Sequence, residues 1–395
     1  MYERSVFPLP NIDYWLWLTL KRDFGPGTIT SLLEVFETPE AIYNATKEDL
    51  EEKNIFSKVI IKRVLNKSMK YVEKVKEDCK RFGIRILTFD SPYFPEKLKH
   101  IPDPPYVLYV RSKSKINLND KLLIGMVGNR EMTEYGRCIA GDIAQGLSKA
   151  GVVVVSGMAR GIDGASHAAA LTSGGTTVAV LGCGADICYP PEHKDLMKAI
   201  IEDGMVISEY PPKTPPKPEN FPIRNRIISG LCDGTVVVEA PEKSGSLITA
   251  DFALKQGRDV FAVPGDITRE HSKGTNNLIK EGSILVTSAL DILKEYELLY
   301  INTLKQSINK KDMEYKEYKE EETKESFNLP QDNIYEGLSQ KEMVIIKNLS
   351  VKPVALELLS QKTGLAPDEL SSMLMMLEIN GFIKTLPGKN FVLNV

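Results

Sequence analysis

Apolar residues in the middle of the chain occur in short uninterrupted runs, not in alternation with polar ones. Each run is followed by a turn and then by a segment with helical apolar spacing. The runs are LLIGMV, VVVVS, TVAVL, MVISE, TVVVEA, VFAVP and ILVT, between residues 119 and 298. Strands of a parallel sheet are buried on both faces and therefore read as continuous apolar runs. The pattern predicts an α/β fold with an open, doubly wound sheet.

The segments on either side have different patterns. Residues 1–70 show helical spacing in YWLWLTL, ITSLLEVF and KVIIKRVL, with a Gly-Pro-Gly turn between two of them, which is typical of a SAM-like or helix-hairpin-helix-like module. Residues 71–118 form a connecting extension with two short strands, IRILTF and YVLYV. Residues 299–336 are dense in charge and predict a flexible linker. Three helical patterns and a hairpin in residues 337–395 predict a winged helix, which could contact protein or DNA.

Composition excludes several classes of protein. The formal net charge is −3, so a site for a polyanion must be a local patch. The five cysteines are scattered and lack the spacing of a zinc site, which favours reduced thiols in a cytoplasm and predicts no metal. The apolar stretch near the N-terminus is too short and interrupted for a signal peptide or a membrane span. We therefore expect a cytoplasmic protein without a membrane partner.

Four of the turns that follow the strands are rich in Gly, Ser, Arg and Lys. They are residues 128–130, 156–163, 182–186 and 241–246. The carboxyl ends of parallel strands lie at one edge of the sheet, where such sheets bind ligands. The turns therefore predict a crevice for a phosphorylated ligand. Arg130 could hold a phosphate at a helix N-terminus, or it could form a surface ion pair.

The same turns lack the patterns of known cofactor sites. The dinucleotide fingerprint GxGxxG and the Walker A pattern are both absent, so we predict no cofactor. Ser156 and Gly157 would let the backbone approach a ligand closely, although turn geometry alone also explains them. We expect Asp163 to cap the next helix. His167 and His193 are interpreted as helix residues and not as catalytic bases.

The helix that follows the proline-rich loop begins with an aromatic residue and two arginines. Phe221 beside Arg224 and Asn225 suits a stacked base with a flanking phosphate. In the alternative interpretation, Phe221 fills the core and Arg224 pairs with an acid such as Glu209 or Glu239. We expect that packing needs neither Arg130 nor Arg224. Replacing either by alanine should therefore weaken binding of the ligand in the crevice without unfolding the protein.

Five motifs of the chain, in order, resemble those of the DprA/Smf family of DNA-processing proteins. They are GNREMTEYG, SGMARGIDGASHAAAL, AVLGCGADICYPPEHKDL, FPIRNRIISGLCDGTVVVEAPEKSGSLITADFALKQGRDVFAVPGD and GTNNLIKEGSILV. The resemblance covers nearly the whole chain and implies a Rossmann-like core flanked by the N-terminal module and the winged helix. It also implies a non-enzymatic homodimer that binds and protects single-stranded DNA during natural transformation and loads the RecA recombinase.

The resemblance also implies where DNA would bind. By position, the pocket of the family falls on Arg130, Ser156, Gly157, Phe221, Arg224, Asn225, Lys243 and Ser244. The neighbouring Arg160, Arg226 and Gly245 complete the predicted DNA-binding residues, and no catalytic residue is predicted. The basic residue of the preceding loop could be Lys213 or Lys217.

Two other functions remain open at this point. Related Rossmann-like folds hydrolyse nucleoside monophosphates with an Arg and a Glu beside a glycine-rich phosphate loop, and Arg130, Arg224 and Glu239 could take such parts. However, the PGGxGT loop of those enzymes is absent from the chain. The third possibility is a scaffold that binds only proteins through the winged helix.

Overall fold

The computed structural model describes most of the chain in two compact units. The described residues are 12–21, 24–52, 55–114, 116–297, 299–300, 338–349, 354–386 and 390–393. The first unit ends at Met313 and the second begins at Glu314. Within the described ranges, no helix is both long enough and apolar enough to cross a membrane. Most of the predicted linker, from residue 301 onward, lies outside the described residues.

A nine-stranded sheet forms the centre of the first unit. Its strands are β1 (Arg85–Thr88), β2 (Val107–Arg111), β3 (Leu123–Val127), β4 (Val153–Ser156), β5 (Thr177–Leu181), β6 (Met205–Ser208), β7 (Gly234–Val237), β8 (Asp259–Ala262) and β9 (Ile284–Leu285). They lie in the order β1-β2-β6-β5-β4-β3-β7-β8-β9. The seven strands from β3 to β9 are parallel, which confirms the predicted doubly wound sheet.

The two strands of the predicted extension join the same sheet. Strand β2 pairs antiparallel with β6, and β1 pairs antiparallel with β2. Without β2, strand β6 would lie at the edge of the sheet with unpaired N–H and C=O groups, and β2 pairs with them. Residues 71–118 are therefore continuous with the sheet and not a separate connection.

Among the described residues, six helices precede the first strand in the chain, and the later helices alternate with most of the strands and cover both faces of the sheet. These helices are α1 (Ile12–Thr19), α2 (Pro26–Phe36), α3 (Pro39–Asn44), α4 (Lys47–Glu52), α5 (Lys58–Leu65), α6 (Lys70–Phe82), α7 (Glu96–Lys99), α8 (Glu134–Lys149), α9 (Ile162–Thr172), α10 (Lys194–Asp203), α11 (Asn220–Leu231), α12 (Gly245–Lys255), α13 (Lys273–Lys280) and α14 (Ala289–Tyr296). Helices α1 to α5 lie within residues 1–70, where helical spacing was expected, whereas α6 begins at Lys70 and occupies the start of the predicted extension. The core of the N-terminal helical region includes Trp15 and Leu16 of α1, packed with Tyr106 and Tyr109 of the sheet.

The order of the strands determines where a ligand can bind. Along the chain, strands β4, β5 and β6 add to one side of β3, whereas β7, β8 and β9 add to the other. The connections after β3 and β7 therefore diverge, which opens a crevice at the carboxyl ends of these strands. Residues 128–130 and the turn after β7 lie at this point.

The second unit has the predicted order of three helices and a hairpin. It contains α15 (Gln340–Lys347), β10 (Val354–Ala355), α16 (Leu356–Thr363), α17 (Pro367–Ile379), β11 (Ile383–Leu386) and β12 (Asn390–Leu393). The strands form a small antiparallel sheet in the order β10-β12-β11. Its own apolar cluster includes Ile345, Leu359, Leu374 and Phe391. On α17, Met375 and Met376 are exposed.

Candidate nucleic-acid interface

The predicted site residues gather at the carboxyl edge of the sheet. We call this place the crevice and define it by residues 128–130, 156–161, 221–225 and 243–245. Successive contacts connect three of these segments. Cζ of Arg130 lies 6.0 Å from the centroid of the Phe221 ring, and Nδ2 of Asn225 donates to the carbonyl of Gly245 at 3.4 Å.

Arg130 lies on a turn that two neighbouring segments hold in place. The Asn129 amide donates to the Glu239 carbonyl at 2.8 Å, and the Ile162 amide donates to the Asn129 carbonyl at 3.2 Å. A Cβ on Gly161 would lie 2.2 Å from the carbonyl oxygen of Asn129, so only glycine fits there. The Arg130 side chain itself is exposed and has no carboxylate partner in the described part of the chain.

Phe221 is half-buried and belongs to a pair of stacked rings. The Tyr189 ring lies with its centroid 5.3 Å away at an interplanar angle of 30°. On another side, a Cβ on Gly182 would lie 2.9 Å from Cδ1 of Phe221. Sequence reasoning missed Tyr189. Its position in the segment after β5, which begins at Gly182, was visible in the sequence. The contact with Phe221 was not, because the two residues are far apart along the chain.

Arg224 is buried, contrary to the expectation that packing does not need it. Its side chain is 4% exposed, and Nη1 donates to the carbonyls of Gly157, at 2.9 Å, and Val180. Nε donates to Oδ1 of Asn225 at 3.2 Å. Burial lowers the pKa of Arg224, while the charge of Asp163 opposes that shift. The guanidinium therefore links two segments of the crevice and strand β5, and contact between it and DNA stays a prediction.

Asp163 has a different role from the predicted helix cap. The N-cap residue of α9 is Gly161, and Asp163 lies in the first turn. Its Oδ2 accepts from the amides of Gly157 at 3.1 Å and Ala159 at 3.3 Å. Burial raises the pKa of Asp163, and the charge of Arg224 opposes this. The carboxylate thus holds the turn after β4 against Arg224.

Arg226, and not Arg224, forms the ion pair with Glu209. Nη2 of Arg226 donates to both carboxylate oxygens of Glu209, at 2.7 and 2.6 Å. The Arg226 side chain is buried, and its Nη1 has no hydrogen-bond partner. The ion pair with Glu209 that the sequence suggested for Arg224 is therefore formed by Arg226.

The turn after β4 contributes backbone and one exposed cation. The Ser156 hydroxyl is buried and donates to the Met126 carbonyl at 2.6 Å, so it fixes the strand end. Gly157 is needed because a Cβ there would lie 2.7 Å from Nη2 of Arg224. Arg160 is exposed and forms an ion pair with Glu192.

The turn before α12 supplies a second exposed cation. Ser244 is the N-cap residue of α12, and its hydroxyl accepts from the Ser246 amide at 3.3 Å. Lys243 is exposed and has no carboxylate partner among the residues that the structure describes. In the proline-rich loop, Lys213 pairs with Asp78 at 2.5 Å.

Glu239 is already occupied, which removes support from the nucleotide-hydrolase interpretation. It is buried, and its carboxylate accepts from the Thr133 amide at 2.9 Å and from the Thr133 hydroxyl. A Cβ on Gly136 would lie 2.1 Å from Oε2 of Glu239. The carboxylate therefore binds the start of α8 and is not free to attack a nucleotide.

His167 lies in a buried position without access to a substrate. Its Nδ1 is 2.7 Å from the Thr177 hydroxyl, which itself donates to the Val154 carbonyl. Nδ1 is therefore the donor, and the buried Nε2 has no partner. Burial lowers the pKa of His167 to about 3, with smaller effects from His193 and Arg224. Within the described residues, no group of three or more His, Cys, Asp or Glu side chains could hold a metal ion.

Comparisons with known families match both units. A family model described as DNA recombination-mediator protein A matches residues 85–297. A second model, described as DprA winged helix domain, matches residues 330–389.

Among curated proteins, the chain is similar to Protein Smf of Synechocystis, with 32% identity over 96% of this chain and 98% of that protein. It is also similar to the DNA processing protein DprA of Streptococcus pneumoniae, with 45% identity over 52% of this chain and 71% of that protein.

Two solved structures share the fold. The X-ray structure of DNA processing protein A from Streptococcus pneumoniae superposes with a TM-score of 0.64 at 35% identity, over 72% of this chain and 97% of that chain. DNA processing protein A from Helicobacter pylori superposes with a TM-score of 0.50 at 28% identity, over 55% of this chain and 99% of that chain. That structure is described as giving insight into the single-stranded DNA binding mode of the Helicobacter protein.

Proposed function

The chain belongs to the DprA/Smf family of DNA-processing proteins, and from this premise we propose that it binds single-stranded DNA in the crevice as a DNA recombination mediator. One observation carries the proposal. Arg130 and Lys243 extend from turns at the switch point of the sheet, exposed and without a carboxylate partner in the described ranges. In a protein whose net charge is −3, this local excess of positive charge suits a phosphate backbone.

The loop before α11 adds a third cation to the proposed site. Lys213 is held by Asp78, and its amide also donates to Asp186 at 2.9 Å. Lys217 is exposed, and no carboxylate of the described residues pairs with it. The sequence did not decide whether Lys213 or Lys217 contacts DNA, and we assign this contact to Lys217.

The form of the crevice favours a single strand over a duplex. Its cations and the half-buried Phe221 belong to turns and to the N-terminus of α11, and in the described part of the chain none of them lies along the exposed face of a helix that could enter a groove. Stacking on an aromatic ring requires a base whose face is free, as in a single strand. Binding should therefore depend on phosphate charge and be largely independent of sequence.

Four finer statements go beyond the crevice itself. We propose that the protein loads RecA on the bound strand, works as a homodimer, and does both in the cytoplasm without catalysing a reaction. Static light scattering checks the dimer. A RecA filament assay on strands coated with a single-strand binding protein checks the loading, and it fails if this protein does not shorten the lag of filament formation.

An electrophoretic mobility assay tests the central proposal. The protein should shift a single-stranded oligonucleotide at lower concentration than the matching duplex. Lys243→Ala should weaken the shift, whereas Lys255→Ala should leave it unchanged, because Lys255 is exposed at the other end of α12 and pairs with Asp251 at 2.7 Å. Equal affinity for both DNA forms would contradict the proposal. Release of base from nucleoside monophosphates would point to the hydrolase instead.

A further inference from the structure

Of the two stacked rings beside the crevice, one belongs to an exposed residue, Tyr189, and the other to the half-buried Phe221. Phe221 is stacked by Tyr189 at 5.3 Å and approached by the backbone of Gly182. The guanidinium carbons of Arg130 and Arg224 lie 6.0 and 5.9 Å from the centroid of its ring. The residue Tyr189, in contrast, is 42% exposed.

The surroundings of Tyr189 contain a cation that a ligand could recruit. Arg160 is exposed and forms an ion pair with Glu192, which lies three residues after Tyr189. The ion pair with Glu192 therefore holds Arg160 against the segment that contains Tyr189. Exposed ion pairs contribute little stability, so a phosphate could replace Glu192 at small cost.

We propose that the exposed face of Tyr189 is a stacking position for an unpaired nucleobase, with Phe221 as the ring that supports it and Arg160 as the contact for the adjoining phosphate. The inference rests on the proposed binding of single-stranded DNA and assigns the base contact to a residue outside the predicted site.

Ring geometry explains why Tyr189 is better placed than Phe221. A base gains stacking energy only on a ring face that is free of protein. One face of Phe221 is covered by Tyr189, so a base could reach it only after Tyr189 moves away. On Tyr189 the base extends a stack that already exists, and the ring loses little conformational freedom because Phe221 already holds it.

The proposed position also selects against duplex DNA. In a duplex, each base is stacked on both sides by its neighbours, so it offers no face to a protein ring unless the helix opens. A position for a single base beside exposed cations thus gives preference for single strands without reading sequence.

Substitutions that remove or retain the aromatic ring while keeping an apolar side chain test the proposal. Tyr189→Leu keeps an apolar side chain against Phe221 and removes the π-face, whereas Tyr189→Phe and Tyr189→Trp keep it. We expect Tyr189→Leu to weaken binding to a thymidine oligonucleotide by roughly 5- to 150-fold, the range that corresponds to one stacked base. Tyr189→Phe and Tyr189→Trp should bind like the parent. Tyr71→Leu is the matched control, because Tyr71 is 52% exposed on α6, outside the crevice.

A strand without bases separates stacking from damage to the fold. On an abasic phosphodiester strand, Tyr189→Leu and the parent should bind equally, because only phosphate contacts remain. Equal affinity of Tyr189→Leu and the parent for the thymidine strand would overturn the inference. An equal loss on both strands would also overturn it, since the tyrosine would then be structural. Failure of the parent itself to bind the thymidine strand would instead overturn the proposed function.

Discussion

At the scale of single residues, the two arginines of the crevice have opposite surroundings. Arg130 is exposed and pairs with no acid in the described ranges, whereas Arg224 is buried between two carbonyls and the charge of Asp163. Removing a buried donor leaves the carbonyls that accepted from it without a partner, which costs the full desolvation penalty of those groups. The same substitution at the two positions should therefore have different effects.

Arg130→Ala should weaken binding to single strands and leave the melting temperature unchanged, because only a solvent-exposed side chain is removed. Arg224→Ala should cost about 1–3 kcal/mol of stability, since it leaves buried carbonyls without the donor that Arg224 provides. Thermal unfolding and oligonucleotide affinity, measured on both variants, check this. A stable Arg224→Ala variant with normal circular dichroism and weak binding would restore the original expectation from the sequence.

His167 makes stability depend on pH in the acidic range. Its pKa is about 3 in the folded protein against an ordinary value of 6.5, because burial disfavours the charged imidazolium, and a proton on Nε2 would also have no acceptor. Between these values the unfolded chain binds the proton and the folded protein does not, so stability decreases as pH falls. This group alone should remove about 1.4 kcal/mol per pH unit below pH ~6.5, down to about pH 3.

Chemical denaturation at several pH values tests this, with His167→Asn as the comparison. Asparagine can donate to Thr177 as Nδ1 does, but it does not titrate. The stability of the variant should decrease less steeply between pH 6 and pH 4 than that of the parent. Parallel curves would show that His167 is solvated or protonated in the folded protein.

At the scale of elements, the sequence predicts those strands and helices whose formation depends on the local pattern of apolar residues. The continuous apolar runs correspond to β3–β9, and helical spacing corresponds to α1, α2 and α5. The pairing of β2 with β6 was not predictable, because it joins segments almost a hundred residues apart through backbone groups that carry no sequence signature. For the same reason, the burial of Arg224 could not be predicted from the residues next to it.

The turns of the crevice depend on close contact between elements, and Gly161 offers a test. It has a φ of +74° and faces the carbonyls of Asn129 and Arg130, whereas Gly174 has a φ of +71° with nothing within 4 Å of an added Cβ. Gly161→Ala should lower both stability and affinity for DNA, because the turn that carries Arg130 must move. Gly174→Ala should cost only the backbone strain, about 1–2 kcal/mol, and leave affinity unchanged. Equal affinities of the two variants would contradict a tight coupling of these turns.

At the scale of the whole molecule, a net charge of −3 coexists with a locally cationic crevice. For single strands, each neutralised phosphate contributes about −0.7 to the slope of log affinity against log salt. Arg130, Lys217, Lys243 and Arg160 together therefore predict a slope of about −2.8. Affinity measured over a salt series checks the value, and Lys217→Ala should reduce the slope by about 0.7 whereas Lys213→Ala should not. An unchanged slope for Lys217→Ala would remove this lysine from the site.

The Arg224 hydrogen bonds also constrain when the binding surface can exist during synthesis. They reach back 67 residues to Gly157 and 44 residues to Val180, so the turns after β4 and β5 lack this support until α11 has left the ribosome. At roughly 5–20 residues per second, the chain from Arg130 to Gly245 takes on the order of ten seconds to make. A nascent chain shorter than this would display Arg130 without the surface that gives it a role, and the protein would acquire its affinity for DNA only late in translation.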